Sequence, residues 1–192
     1  MTRSFVLVCA LGCTAACITT ACQTVPRTET DRKTLSTEVQ TAISDAKANN
    51  PKVAGHFKDC YAYAVLPKVG KGGLVFAGAY GRGEVYEKGK MIGYCDLNQG
   101  SFGAQIGGQS FNEFIFFQNA AALKKFTSGQ FVPSATASAA GGDAGSAVAN
   151  DYQDGVAVFI TGVGGLMAEA SVGGQQFNFT AMDAVKPGTT SK

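Results

Sequence analysis

Between Asp31 and Ala48 the apolar residues Leu35, Val39, Ala42, Ile43 and Ala46 recur at offsets of 0, 4, 7, 8 and 11. That spacing lines one face of an α-helix. Asn49-Asn50-Pro51 then stops the run, and Lys52 to Asp59 reads as a short helical turn. From Cys60 the pattern changes to alternation. Tyr61 to Leu66 predicts a strand closed by Pro67, which has no N–H to give to a ladder. Gly73 to Tyr80 predicts the next strand. Gly83 to Tyr86 and Met91 to Cys95 predict a hairpin around Glu87-Lys88-Gly89-Lys90, with its glycine in the turn. Ser101 to Ser110 and Phe114 to Gln118 extend the sheet, and Asn119 is placed to cap a short helix from Ala120 to Phe126. Pro133 to Ala149 is rich in small residues. Within it Ser134 to Ala139 reads as a weak strand before a Gly141-Gly142-Asp143 turn. Val156 to Thr161, Leu166 to Val172 and a last stretch near Phe177-Asn178-Phe179 complete the apolar strands.

Composition sharpens this picture. The chain has 192 residues, 45% hydrophobic and 16% charged, as in a globular domain. Glycine, at 25 residues, is close to double its usual share of about 7%. Spread through strands, it lets them bend and approach closely. The expectation is one α+β domain over residues 33–182 with a strongly curved, mostly antiparallel, Gly-rich sheet, sandwich- or barrel-like. An N-terminal helix and a short helix in the middle complete it. The helix could instead lie on a membrane, but Arg32, Lys33 and Lys47 are balanced by Asp31, Glu38 and Asp45. Packing on the domain is the favoured reading, since surface-seeking helices are basic.

Residues 1–21 carry Arg3 followed by an uncharged apolar stretch from Phe5 to Ala21, the pattern of a signal peptide. Thr19-Thr20-Ala21-Cys22 resembles a bacterial lipobox, which makes Cys22 the lipidated residue and Cys17 the rival site. Gln23 after it, in place of aspartate, implies an outer-membrane destination, with the domain facing the periplasm. Residues 22–32 form the lipidated cysteine and a polar tether, and residues 183–192 a polar tail.

Net charge is +2, without the basic excess of a protein that binds phosphate backbones, so nucleic acid is excluded as a partner. One histidine, His56, leaves little for His-based catalysis or a multi-histidine metal centre. The chain reads as no enzyme, with no cofactor and no metal. Zinc on His56, Cys60 and Cys95 fits no paired-ligand spacing. Cys60 and Cys95 are either one disulfide or two buried thiols. Gly70-Lys71-Gly72-Gly73 and Gly78 to Gly83 lack the Lys-Ser/Thr and following helix of a phosphate loop, so they read as turns between curved strands. Gly103 to Gly107 matches GxxxG, but Gln105 and Gln109 exclude a membrane dimer face. Glu84, Glu113 and Glu169 lie within apolar strands. They either point into a pocket or face solvent on alternating positions.

Val65 to Gly73 (VLPKVGKGG), Gly78 to Gly83 (GAYGRG), Ser101 to Ser110 (SFGAQIGGQS), the strand ending Phe117-Gln118-Asn119 and Gly165-Leu166-Met167-Ala168 together resemble the ordered blocks of the SYLF domain. The resemblance spans about Val39 to Phe179. It implies a phospholipid-binding module, known also as an actin- or lipid-binding domain and found alone in bacterial lipoproteins. No catalytic residues come with it. The cations placed to meet lipid headgroups are Lys68, Lys71, Arg82, Lys88 and Lys90, against Glu84 and Glu87 in the same segment; a solvated rim explains them equally. The expected function is a non-enzymatic, membrane-anchored lipoprotein that binds phospholipid or another amphiphile. The alternative from another class is an envelope scaffold holding a protein partner on its sheet. A hydrolase built on His56 and a strand carboxylate comes last.

Overall fold

A computed structural model describes residues 25–72, 76–102, 109–131, 152–162, 165–166 and 175–185. The chain is α+β. The described elements are α1 (Glu29–Asn49), α2 (Pro51–Asp59), β1 (Ala62–Gly72), β2 (Phe76–Glu87), β3 (Lys90–Phe102), β4 (Gln109–Phe117), α3 (Ala120–Thr127), β5 (Val156–Gly162), β6 (Gly165–Leu166) and β7 (Gln175–Ala181). A 3-10 turn, Met182–Ala184, follows β7.

Local chemistry sets the helix ends. Thr28 and Asp31 cap α1 reciprocally: the Asp31 N–H donates to Thr28 Oγ1 at 3.0 Å, and the Thr28 N–H to Asp31 Oδ2 at 3.3 Å. That satisfies two N–H groups the helix leaves unpaired. Asn50 works on both sides of a bend. Its N–H closes α1 on the Ala46 carbonyl, and its Oδ1 accepts from the Lys52 and Val53 N–H groups of α2. Asn119 caps α3 as its sequence position predicts, accepting from the Ala122 N–H at 3.0 Å.

The strands run in the order β6-β5-β4-β1-β2-β3-β7, and every described pairing is antiparallel. The sheet is open, with β6 and β7 at its ends. The expected hairpin is present, and Lys88 and Gly89 both take positive φ in its turn. Its strands are much longer than the sequence pattern suggests: Gly83 to Tyr86 is the end of β2, which begins at Phe76.

Pro67 does not end β1. The strand passes through it as a bulge, with register shifts between Leu66 and Val69 against β4 and between Val65 and Gly70 against β2. A bulge frees one residue from the ladder, so the missing proline N–H costs nothing there. Lys68, next along, adopts φ 55, and its N–H donates to Asn112 Oδ1.

Apolar residues fill both faces of the sheet. The stripe Leu35, Val39, Ala42, Ile43 and Ala46 of α1 is buried together with Val65, Tyr86, Phe114 and Phe116 on one face. The helix-on-domain expectation therefore holds, because the residues a membrane helix would offer to lipid are already covered. On the other face Leu66, Leu97, Ile115, Phe117 and Ile160 pack with Phe126 of α3 and Phe177 of β7. Close approach is built into this second face. A Cβ on Gly83 would lie 2.2 Å from the Val65 carbonyl oxygen, and one on Gly93 would lie 2.3 Å from that of Thr180. No side chain larger than hydrogen fits either position unless the backbone moves.

The signal segment, the rival cysteines Cys17 and Cys22, residues 23–24 of the tether, the Ser134 to Gly142 stretch, Glu169 and the tail from Lys186 lie outside the described residues. The rest of the tether is corrected: Val25 packs against the α1 cluster, Pro26 is buried and Glu29 to Arg32 form the first turn of α1. No described helix is long and apolar enough to cross a membrane.

Candidate functional site

The five candidate cations fall into two groups. Lys68 on the β1 bulge and Arg82 on β2 line one groove of about 370 Å³ together with Tyr80, Pro26 and the acidic Asp31 and Glu38 of α1. Lys88 and Lys90 sit at the β2–β3 turn, six residues or more beyond Arg82. At about 3.4 Å per residue that places them roughly 20 Å from Arg82 along the strand. Lys71 pairs through its backbone with Ala79, and its side chain lies outside the described residues.

Within the groove the charges are engaged. Lys68 Nζ lies 2.6 Å from Glu38 Oε1, an ion pair in which the lysine side chain stays 68% exposed. Arg82 Nε donates to Tyr80 Oη at 2.6 Å, and its guanidinium carbon lies 5.7 Å from that ring's centroid. At the turn, Lys88 Nζ is 5.0 Å from the Tyr61 ring centroid, and the Tyr61 hydroxyl donates to Glu87. Sequence reasoning found the two groove cations but missed Glu38 and Tyr80. Tyr80 stands two residues before Arg82 on β2, so strand alternation could have placed the two on one face, whereas the approach of Glu38 on α1 to Lys68 leaves no trace in that pattern.

Of the two readings of the cysteines, the structure has separate thiols: Cys60 and Cys95 are free. Cys60 packs with the α1 and α2 cluster and Cys95 with the α3 cluster. A sheet separates them, which is why no bridge forms. Burial pushes the Cys60 thiol up to about 11 and the Cys95 thiol well above its ordinary value, so neither is a ready nucleophile. The same separation takes Cys95 away from His56 and Cys60. Among the described residues no group of three or more His, Cys, Asp or Glu side chains could hold a metal ion.

His56 stacks on Phe116 at 5.2 Å and is flanked by Tyr152 and Phe159, with centroids at 5.2 and 4.9 Å. Glu113 lies on the opposite face of the sheet from this aromatic nest, since it alternates with Phe114 and Phe116 along β4.

Solvent does not reach Glu84 or Glu113. Both are buried, at 1% and 0% exposure. On the α1 face, Tyr86 Oη donates to Glu84 Oε2 at 2.5 Å and accepts from Gln40 Nε2 at 3.2 Å. On the α3 face, Gln175 Nε2 donates to Glu113 Oε2 at 3.1 Å. Desolvation raises both carboxyls, Glu113 to about 8, while the hydrogen bond to each works the other way. A third buried acid, Asp96 on β3, accepts from Asn98 and Asn178 side-chain amides through Oδ1.

No family model matches the chain, and no curated protein matches it.

Proposed function

We propose that the chain is an outer-membrane lipoprotein of the SYLF type, anchored through an acylated Cys22 and facing the periplasm, whose domain binds phospholipid headgroups and catalyses nothing. The observation that carries this reading is the groove between α1 and the β1 bulge, where Lys68 and Arg82 meet Tyr80. Lys68 is held there at φ 55, a left-handed conformation that costs a non-glycine residue about 1 kcal/mol. The bulge thereby presents a cation out of the sheet plane, where a phosphate would meet it. Glu38 pairs with Lys68 and is the group a phosphate would displace. Lys88 and Lys90 form a second, separate point of electrostatic contact with an anionic surface. Two lipid chains on Cys22 supply the anchoring energy, so the groove need only select headgroups.

We also infer that the sheet is strongly curved, a barrel-like trough around the α3 cluster. Strands β4 and β7 stand four positions apart in the sheet order, about 19 Å in a flat sheet. Yet their side chains Glu113 and Gln175 hydrogen-bond at 3.1 Å. Phe126 of α3 reaches Phe117 of β4 and Phe177 of β7 at 5.0 and 5.4 Å.

Vesicle flotation of the Cys22→Ala protein tests the headgroup reading. Retention on phosphatidylglycerol vesicles that fades with added salt is the expected result, and Lys68→Gln with Arg82→Gln should weaken it. Absence of retention even at low salt removes the headgroup reading and leaves the envelope scaffold, in which the sheet holds a protein partner.

A further inference from the structure

Two acceptor oxygens are buried without a partner in the α3 face, Glu113 Oε1 and Gln175 Oε1. They belong to the two side chains that are already joined through Glu113 Oε2 and Gln175 Nε2. An unfilled acceptor in an apolar interior costs about 1–3 kcal/mol, and here two are left on one pair. A single hydrogen shared by the two oxygens would fill both.

We propose that Glu113 retains its carboxyl proton and donates it from Oε1 to Oε1 of Gln175, so that acid and amide close a two-bond ring that latches β4 to β7. The partners fit this role. A protonated carboxyl is one donor with acceptor capacity to spare, and an amide offers one N–H and one C=O in the same plane. The surroundings keep the proton in place. Leu66 of β1 and Ile160 of β5 stand opposite Glu113 on the neighbouring strands, and burial in this cluster pushes its carboxyl up to about 8. The titratable groups on the elements around it give no compensating positive charge. On β3 the Cys95 thiol faces the same interior, with Asp96 on the alternate face. On β2, Arg82 and Glu84 lie on the opposite face, and on β1 Lys68 is exposed. Lys124 and Lys125 of α3 and Asp183 after β7 are also exposed. Lys71 lies outside the described side chains.

Ionisation hands the proton to solvent water. It leaves a carboxylate facing an amide oxygen, two acceptors with nothing between them, and the ring opens. Among the described pairings β7 joins the sheet only through β3, so it is the element released. The latch is therefore a proton-controlled gate on the apolar interior, independent of whether the groove binds lipid.

The test is amide hydrogen exchange of the full-length chain across pH, with infrared spectroscopy of the carboxyl C=O stretch. Opening that frees Glu113 to ionise at its ordinary value of 4.5 grows about tenfold per pH unit until the latched value is reached. β7 protection factors, corrected for intrinsic exchange, should fall about tenfold per unit from pH 5 to 8 and level off above. Glu113→Gln, neutral and of the same shape, should flatten that dependence and remove a protonated-carboxyl band present at pH 6.5. The proposal is overturned if wild-type β7 protection is flat over this range, or if the band survives Glu113→Gln. Should Glu113→Gln fail to fold, Gln175→Leu decides. It must lower β7 protection at pH 6 while keeping the band, and unchanged β7 protection overturns the latch.

Discussion

Each face of the sheet buries a glutamate, and the two are accommodated differently. Glu84, beneath α1, receives a phenolic hydrogen from Tyr86, which is itself tied to the exposed Gln40. A hydrogen-bonded chain thus runs from the carboxylate to the surface in three side chains. Glu113, on the α3 face, has one amide donor and an oxygen with no partner. Equal inaccessibility therefore does not mean equal chemistry. The face covered by a helix with solvent behind it links its buried carboxyl to the surface through hydrogen-bonding side chains, whereas the interior shared by β4, α3 and β7 leaves protonation as the way to satisfy the group.

Stability against pH is the strongest way to break this comparison. The Glu113 carboxyl is raised from 4.5 to about 8 in the folded chain. Between those values the folded state holds a proton the unfolded state has lost. Its contribution is thus complete below about pH 4.5 and is lost as pH rises toward 8, at about 1.4 kcal/mol per pH unit. The ceiling on the total is about 5 kcal/mol. Urea midpoints at pH 5, 6.5 and 8 should decline in wild type, and Glu113→Gln should remove most of the decline. Glu84→Gln should remove less, because Tyr86 and Gln40 link Glu84 to the surface, whereas Glu113 lies wholly within the apolar interior. Equal effects from the two variants would erase the distinction between the faces.

Cavity-forming substitutions sharpen it next. Phe126 is fully buried and touches the rings of Phe117, Phe131 and Phe177. Phe126→Ala should cost about 3–5 kcal/mol, because rings from β4 and β7 cannot both follow the loss. Leu35 on α1, 8% exposed, has a whole helix that can settle into the gap. Leu35→Ala should cost nearer 2 kcal/mol. Chemical denaturation of both variants reads the difference, and a larger loss at Leu35 would mean that the α1 face is the more rigid.

The sequence made the two faces only partly legible. The α1 stripe and the Asn119 cap follow from local rules, and both appear where periodicity and side-chain chemistry put them. The strand alternation of β4 places Phe114 and Phe116 on one side and Glu113 with Ile115 on the other, yet it cannot say that both sides are covered. For that reason solvent exposure remained open for Glu84 and Glu113. Gln175 gave no signal as Glu113's partner, since 62 residues of chain separate them and only the sheet's three-dimensional path brings them together. The β1 bulge was hidden for a related reason. Pro67 looks like a strand end unless the neighbouring strands on both sides are known to continue past it.

The smallest change tests the link between the α1 face and binding. Lys68 and Glu38 form an ion pair with a largely exposed lysine, and exposed pairs contribute about 0–1 kcal/mol. Glu38→Gln should therefore leave the urea midpoint within the equivalent of about 1 kcal/mol. Its effect on vesicle retention should be plain, because the substitution removes the anion that competes with phosphate for Lys68 and lowers the negative charge of the groove. Retention of the Cys22→Ala, Glu38→Gln protein on phosphatidylglycerol vesicles should exceed that of Cys22→Ala alone at low salt. The gain should shrink as ionic strength rises and screens the lysine. Adding Lys68→Gln should abolish the gain, which assigns it to this lysine and not to the change in net charge. A gain that persists without Lys68 would move the contact to Arg82 or to the β2–β3 turn, and unchanged retention would remove Glu38 as the gatekeeper of the groove.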